Sequence, residues 1–355
     1  MRNCASLTAE YMALFRAIES ARPARSRLFC DPFAVLFLHR WRKWIYEIAR
    51  CGAARRLVER LFDRELPGAR AAGIARTKWI DDEVTRALET CTQLVLLGAG
   101  FDTRAYRLPA AQRVVAFELD HPETSLAKQA TLRKAMGSLP QQVQFVSIDF
   151  NTQPVADVLR GSSFDATQTT CFVWEGVTNY LSPEAVDGVL QQIAQTARGG
   201  ILLFTYVHRS VLDEPAQFFG AEKLLSRLRS LGEPWTFGLH PEEMERYLAA
   251  RKLRLARDLS VAEVWQRAGR VPTCTDTNFI VSLPLGCRAD HPEVLAARPT
   301  YSETGRSPYL IRATAPRPME RSAETPAGTR SSKSRSRFVG PQRISNEMLS
   351  PAKFC

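Results

Sequence analysis

LVLLGAGFDTRAYRL, residues 94–108, decides the fold. Its first five residues are an apolar run closed by glycine, the pattern of a buried parallel strand. Gly98-Ala99-Gly100 then forms a turn in which no Cβ keeps a ligand away from the backbone. A dinucleotide fold places a third glycine three residues on, for close helix packing against a pyrophosphate. Here that position is Thr103, and Asp102 stands beside it. A carboxylate at this point repels a pyrophosphate and suits a ligand with a positive group and no phosphate.

Outward from the turn the texture repeats. VVAFELD (114–120), VQFVSID (143–149), TTCFVWE (169–175) and ILLFTYV (201–207) read as further strands. LRLARDLS (253–260) and NFIVSL (278–283) are candidates to close the sheet. Helical stretches intervene at 122–136, after Ser182-Pro183, and at 240–250. The alternation predicts an α/β fold, a doubly wound and mostly parallel sheet with helices on both faces. Ligands in such sheets bind outside the carboxyl ends of the strands. Three of the first four strands end there in an acid: Asp120, Asp149 (followed by Phe150) and Glu175. Asp120 can take two ribose hydroxyls, a feature of nicotinamide and S-adenosylmethionine sites alike. Asp149 can accept from an adenine amino group, with Phe150 as an apolar wall. S-adenosylmethionine carries an ammonium and a sulfonium and no phosphate, which fits Asp102.

Residues 1–75 read as a helical cap, with Thr8 as an N-cap and Asp31-Pro32 restarting a helix. From 286 to 355, Ser, Arg, Pro, Thr and Ala dominate, and a disordered basic tail is expected. That segment holds 12 Lys/Arg against 6 Asp/Glu, about half of the net charge of +11. The core is thus only mildly basic, and nucleic acid is not an expected partner. The eight cysteines form no CxxC pair and no zinc spacing with histidine, so reduced thiols and no metal are expected. No run approaches the roughly 18 apolar residues of a membrane span, and no signal peptide is evident. A cytoplasmic protein with no membrane partner is expected.

The strings GIARTKWIDDEVTRAL, QLVLLGAGFDTRAYRL, FELDHPETSLAKQATL, IDFNTQ and WEGVTNYLSPEAV resemble the leucine carboxyl methyltransferase family. Its bacterial and fungal branch of S-adenosylmethionine-dependent methyltransferases is the more similar; TAEYMALFRAIES and DPFAVLFL share that likeness. The resemblance covers roughly residues 8–285. It implies a Rossmann-like, seven-stranded methyltransferase domain over 76–285, with S-adenosylmethionine as cofactor. It further implies that Arg76 grips the methionine carboxylate in a bidentate pair. Gly98 and Gly100 would line the methionine moiety, Asp120 the ribose, and Asp149-Phe150 the adenine. Glu175 would lie near the methionine amino group. The acceptor implied is a carboxyl or hydroxyl of a protein C-terminus or a small metabolite.

Methyl transfer needs alignment at near-attack distance, and a hydroxyl acceptor also needs a general base. His208, after the fifth strand, and His240, in FGLHPEE, are the candidate bases, and Tyr180 could position the acceptor. The fourth strand is not followed by an Asn/Asp-Pro-Pro-aromatic motif, which argues against amino methylation of nucleic-acid bases. Two other readings use the same residues. One is a nicotinamide-dependent oxidoreductase, supported by the turn and Asp120 and opposed by Asp102. The other is a non-catalytic binding protein on a methyltransferase scaffold.

Overall fold

Strands that are apolar on both faces must be covered on both sides. In the computed structural model, which describes residues 7–196, 200–267 and 309–314, seven strands form one sheet. They are β1 (Gln93–Leu97), β2 (Val115–Asp120), β3 (Val143–Ser147), β4 (Thr170–Trp174), β5 (Ile201–Tyr206), β6 (Arg254–Leu259) and β7 (Tyr309–Thr314). Their order is β3-β2-β1-β4-β5-β7-β6. The first five pair in parallel, whereas β7 runs antiparallel to both β5 and β6. The strand order reverses between β1 and β4, so the crevice opens where the glycine turn leaves β1.

Four helices precede the sheet: α1 (Leu7–Ser20), α2 (Arg40–Ala49), α3 (Gly52–Glu65) and α4 (Ala69–Ala87). Then come α5 (Arg104–Arg107), α6 (Pro122–Met136), α7 (Val155–Arg160), α8 (Pro183–Thr196), α9 (Arg209–Asp213), α10 (Ala221–Leu231), α11 (Met244–Ala249) and α12 (Val261–Arg267). Alternate strand residues serve two layers. Leu94, Leu96, Val173 and Leu203 pack with Ile80 and Val84 of α4 and Leu132 of α6. Val95, Leu97, Phe172 and Phe204 pack on the other face with Val186, Leu190 and Ile193 of α8. Each such side chain contributes roughly 1.5–3 kcal/mol by leaving water.

Several sequence expectations change. The position 75/76 falls inside α4, a 19-residue helix that continues unbroken past Gly73. Thr8 lies in the first turn of α1; the cap comes instead from Glu233, which accepts from the Leu7 and Thr8 amides at 2.9 and 3.2 Å. Asp31 does cap, accepting from Phe33 and Ala34, but over a short 3-10 turn (Ala34–Phe37). Within the segment read as a featureless tail, YLIRAT forms β7, between β5 and β6. Its apolar, β-branched residues fit a strand, and the polar stretches around it masked them. The candidate strand 278–283 lies outside the described residues. Cys30 is disulfide-bonded, so the expectation of reduced thiols fails there.

Candidate active site

β1 delivers the chain into a turn with left-handed backbone at Gly98 (φ +64°) and Gly100 (φ +41°). A Cβ on Gly98 would stand 2.4 Å from Val177 Cγ2, so this position excludes any side chain on two counts. The Gly100 amide donates to Asp120 Oδ2 (2.5 Å) and the His121 amide to Oδ1 (2.7 Å). Asp120 therefore ties the turn to the end of β2. Burial raises its carboxyl above the usual range, partly offset by these two amides and Lys128.

The turn opens on a cavity of about 330 Å³. Arg76, Gly98, Gly100, Asp120, Phe150 and Glu175 all line it, drawn from α4 and the ends of β1, β2, β3 and β4. Tyr180 lines it too. Asp149 does not: its carboxylate turns back to accept from the amide and side chain of Asn151 (2.9 and 3.2 Å). That turn holds the Asp149 carboxyl below the usual range, mainly through the Asn151 amide.

Neither His208 nor His240 lines the cavity. His208 is fully buried, and its Nδ1 caps α9 by accepting from the Ser210 amide (3.1 Å). His240 packs edge-on against it, ring centroids 5.6 Å apart. With Glu242 the two histidines bring potential ligand atoms within 4.8 Å of one another. The His208 cap places the neutral ring's proton on Nε2, so ligation there requires breaking the cap. The expectation that either histidine serves as a base at this cavity is therefore not met by their positions.

Sequence reasoning missed the ion-pair network beneath the cavity. Arg76 Nε donates to Glu175 Oε1 (2.6 Å), and Arg104 Nη1 to Glu175 Oε2 (2.6 Å). Arg104 also pairs with Asp102 (2.6 Å) and Asp81 (2.8 Å), and Arg107 pairs with Asp81 (2.7 Å). Arg16 of α1 reaches Asp31 (2.8 Å) and the Phe101 carbonyl (2.6 Å). Burial alone would raise Asp102 and Glu175. That is the largest single effect at both; Arg104 opposes it most, and only together with Lys128 and Arg107 at Asp102, and with Arg76 at Glu175, is it outweighed. Asp102 falls to about 2 and Glu175 falls below its usual range. The available signal was Arg104 and Arg107, three apart after the turn and therefore on one helix face.

The far half of the cavity is apolar, with Tyr11 and Met12 of α1, Leu224 and Leu228 of α10, and Trp235. Tyr180 donates its hydroxyl to Thr8 Oγ1 at 3.3 Å, and Thr8 Oγ1 donates to Glu233 at 2.5 Å. The first helix is thus fastened across this half from both sides. Burial pushes the Tyr180 phenol up, so it stays protonated at neutral pH.

The model of the leucine carboxyl methyltransferase family matches residues 9–194, more than half of the chain. A Mycolicibacterium gilvum protein named "Putative S-adenosyl-L-methionine-dependent methyltransferase" is 36% identical over 45% of this chain. The matched stretch spans only about half (49%) of that relative's length. A Mycobacterium tuberculosis protein of the same name is 29% identical over 62% of this chain and 70% of its own. A Thermobifida fusca crystal structure, described as a "putative methyltransferase", is 17% identical over 89% of this chain and 96% of its own, with a TM-score of 0.49. The family match begins in α1, which roofs the cavity, and runs through the glycine turn, both strand-end acids and the Glu175 loop. The chain belongs to the leucine carboxyl methyltransferase family.

Proposed function

We propose that this chain is an S-adenosylmethionine-dependent methyltransferase that methylates oxygen, on a carboxylate of a small metabolite or a protein C-terminus. The donor side rests on the residues gathered at the turn. Asp120 offers a carboxylate to the ribose hydroxyls and Phe150 an apolar wall to the adenine. Arg76 spends Nε on Glu175, leaving its terminal nitrogens for a ligand carboxylate. Gly176, with φ +67°, presents no Cβ to that guanidinium, which would lie 3.5 Å from one. Glu175, kept ionised, faces an ammonium. Asp102, ionised at neutral pH on the cavity wall, opposes a pyrophosphate and so a nicotinamide dinucleotide.

The acceptor assignment rests on Tyr180. Of the three candidate acid–base groups, it alone lines the cavity, and burial keeps it protonated. A phenol in that state donates a hydrogen bond and cannot take a proton. A carboxylate acceptor is already ionised at neutral pH and needs no base, whereas a hydroxyl does. The cofactor, when bound, supplies the sulfonium methyl group. The acceptor oxygen forms the new O–C bond as the S–C bond breaks, and the electron pair passes to sulfur. No proton moves, so the chain's role is to align the reactants and exclude water.

The test uses methyl-labelled S-adenosylmethionine with a pool of carboxylic acids and peptides. A carboxyl methyl ester releases labelled methanol in mild alkali, and a methyl ether does not. Alkali-stable product, or a rate that climbs with pH as a hydroxyl is deprotonated, overturns the carboxylate assignment.

A further inference from the structure

We propose that the α2–α3 hairpin docks this protein on an anionic membrane surface. The proposal stands on Trp41, Trp44, Leu57 and Leu61, none of which lines the cavity at the turn, and does not depend on the acceptor. On α2, Trp41, Trp44 and Ile48 fall at helical spacing, and on α3 Leu57 and Leu61 do the same. Such stripes ordinarily face a core. Here α3, 14 residues long, buries none of its residues. Trp44 is 67% exposed, Leu57 59%, Leu61 53% and Trp41 50%. Between the two stripes lies a groove of about 440 Å³, closed at one end by Tyr11 and Leu66, which also wall the first cavity.

Charge selects the occupant. Residues 40–65 hold eight Lys/Arg against four Asp/Glu. Arg40, Lys43, Arg56, Arg60 and Arg64 are exposed. Arg60 and Arg64 each follow an exposed leucine by three residues, so they flank the apolar stripe on one side. Long basic side chains beside Trp and Leu suit the headgroup boundary of an anionic bilayer, where apolar groups enter and cations meet lipid phosphates. A second copy of the chain fits less well. A two-fold interface sets the same patch against itself and would bring two cationic rims together. Among the described residues no helix is long and apolar enough to cross a membrane, so the contact is a surface one.

The full chain is sedimented with vesicles of phosphatidylcholine alone and of equimolar phosphatidylcholine and phosphatidylglycerol. It should bind the anionic vesicles only, and release as salt rises. Arg60→Glu with Arg64→Glu should lower vesicle affinity about tenfold or more, since each cation near such a surface contributes appreciably. Trp44→Ser with Leu57→Ser should lower it similarly, with affinity for S-adenosylhomocysteine unchanged in both. Because all four positions are exposed, folding is checked by the thermal transition. A chain that stays in the supernatant with both vesicles overturns the proposal, as does equal binding by either double variant. A concentration-dependent dimer that Trp44→Ser with Leu57→Ser dissolves, without vesicle binding, assigns the face to a second copy and also overturns it.

Discussion

Arg76→Lys separates a ligand-gripping arginine from a structural one. In the folded chain Glu175 has two cations, Arg76 Nε on one oxygen and Arg104 Nη1 on the other, each at 2.6 Å. Losing the Arg76 contact leaves the carboxylate paired with Arg104, itself anchored by Asp81 and Asp102. The uncompensated buried charge that makes such losses costly therefore does not arise. We expect only a small stability change, because lysine keeps a cation beside Glu175 and Arg104 stays paired with it. Ligand binding is different. A guanidinium can hold Glu175 through Nε and a ligand carboxylate through its terminal nitrogens, a division an ammonium cannot reproduce. Losing one charge-assisted bond costs about 1.5–3 kcal/mol, or roughly tenfold to a hundredfold in affinity. Calorimetry with S-adenosylmethionine and its decarboxylated analogue provides the assay. The first ligand should weaken by that factor, and the analogue should bind wild type and variant about equally. Equal weakening of both would refute the assignment and place the effect of Arg76 on the fold or the adenosine end.

Gly98→Val should lower stability by about 2 kcal/mol or more, from a left-handed backbone and the clash with Val177, and should abolish binding of S-adenosylhomocysteine; a wild-type melting temperature and affinity would remove the turn from the site. A chain ending at residue 308 should lose its cooperative thermal transition, because β7 supplies the antiparallel partner of both β5 and β6; one ending at residue 316 should keep it, and identical melts for the two would show that the sheet does not need β7. Asp102 has its carboxyl lowered to about 2, below the unfolded value of 3.8, so its stabilisation is full above that value and is lost as the pH falls toward 2. Asp102→Asn should accordingly flatten the fall in stability below about pH 4, by about 2 kcal/mol; parallel profiles of melting temperature against pH would contradict the pairing with Arg104.

How much of this was legible depended on whether a residue's neighbours lie close in sequence. β1, β4 and β5 declared themselves because both faces of each are buried, which makes the runs nearly continuously apolar, and β2 and β3 followed from their alternating apolar residues and strand-end acids. Gly98 and Asp120 were legible because the crevice position follows from strand ends alone. β7 was not, since Tyr309–Thr314 sits among polar low-complexity sequence and its partners lie far upstream. Thr8 misled for a similar reason: its own chemistry suits a cap, but Glu233, 225 residues away, does the capping. The histidines were read by type, and type does not reveal that His208 Nδ1 already caps its own helix. Asp81, on the same helix as Arg76, gave no local sign of holding Arg104 and Arg107.

The network also bears on what the cavity can hold. Arg16, Arg76, Arg104 and Arg107 face Asp31, Asp81, Asp102 and Glu175, four cations against four anions. This cluster is neutral as a unit, which is how so many charges can lie beneath one cavity without a prohibitive desolvation cost. Asp120 lies outside it. Its hydrogen-bond partners are two backbone amides, and burial raises its carboxyl by more than those amides and the nearby Lys128 lower it. Beside the glycine turn the cavity therefore carries a carboxylate that forms no ion pair among the described residues. A ligand with one net positive charge offers that carboxylate a counter-charge, and S-adenosylmethionine has such a charge: ammonium and sulfonium against one carboxylate. Transfer of the methyl to a carboxylate removes the sulfonium charge and neutralises the acceptor in the same step. The spent cofactor then has no net charge and the esterified group none, and Asp120 is again without that counter-charge. On the proposed reaction, the field that favours loading the donor no longer holds the products, so the same carboxylate that recruits the cofactor favours its release.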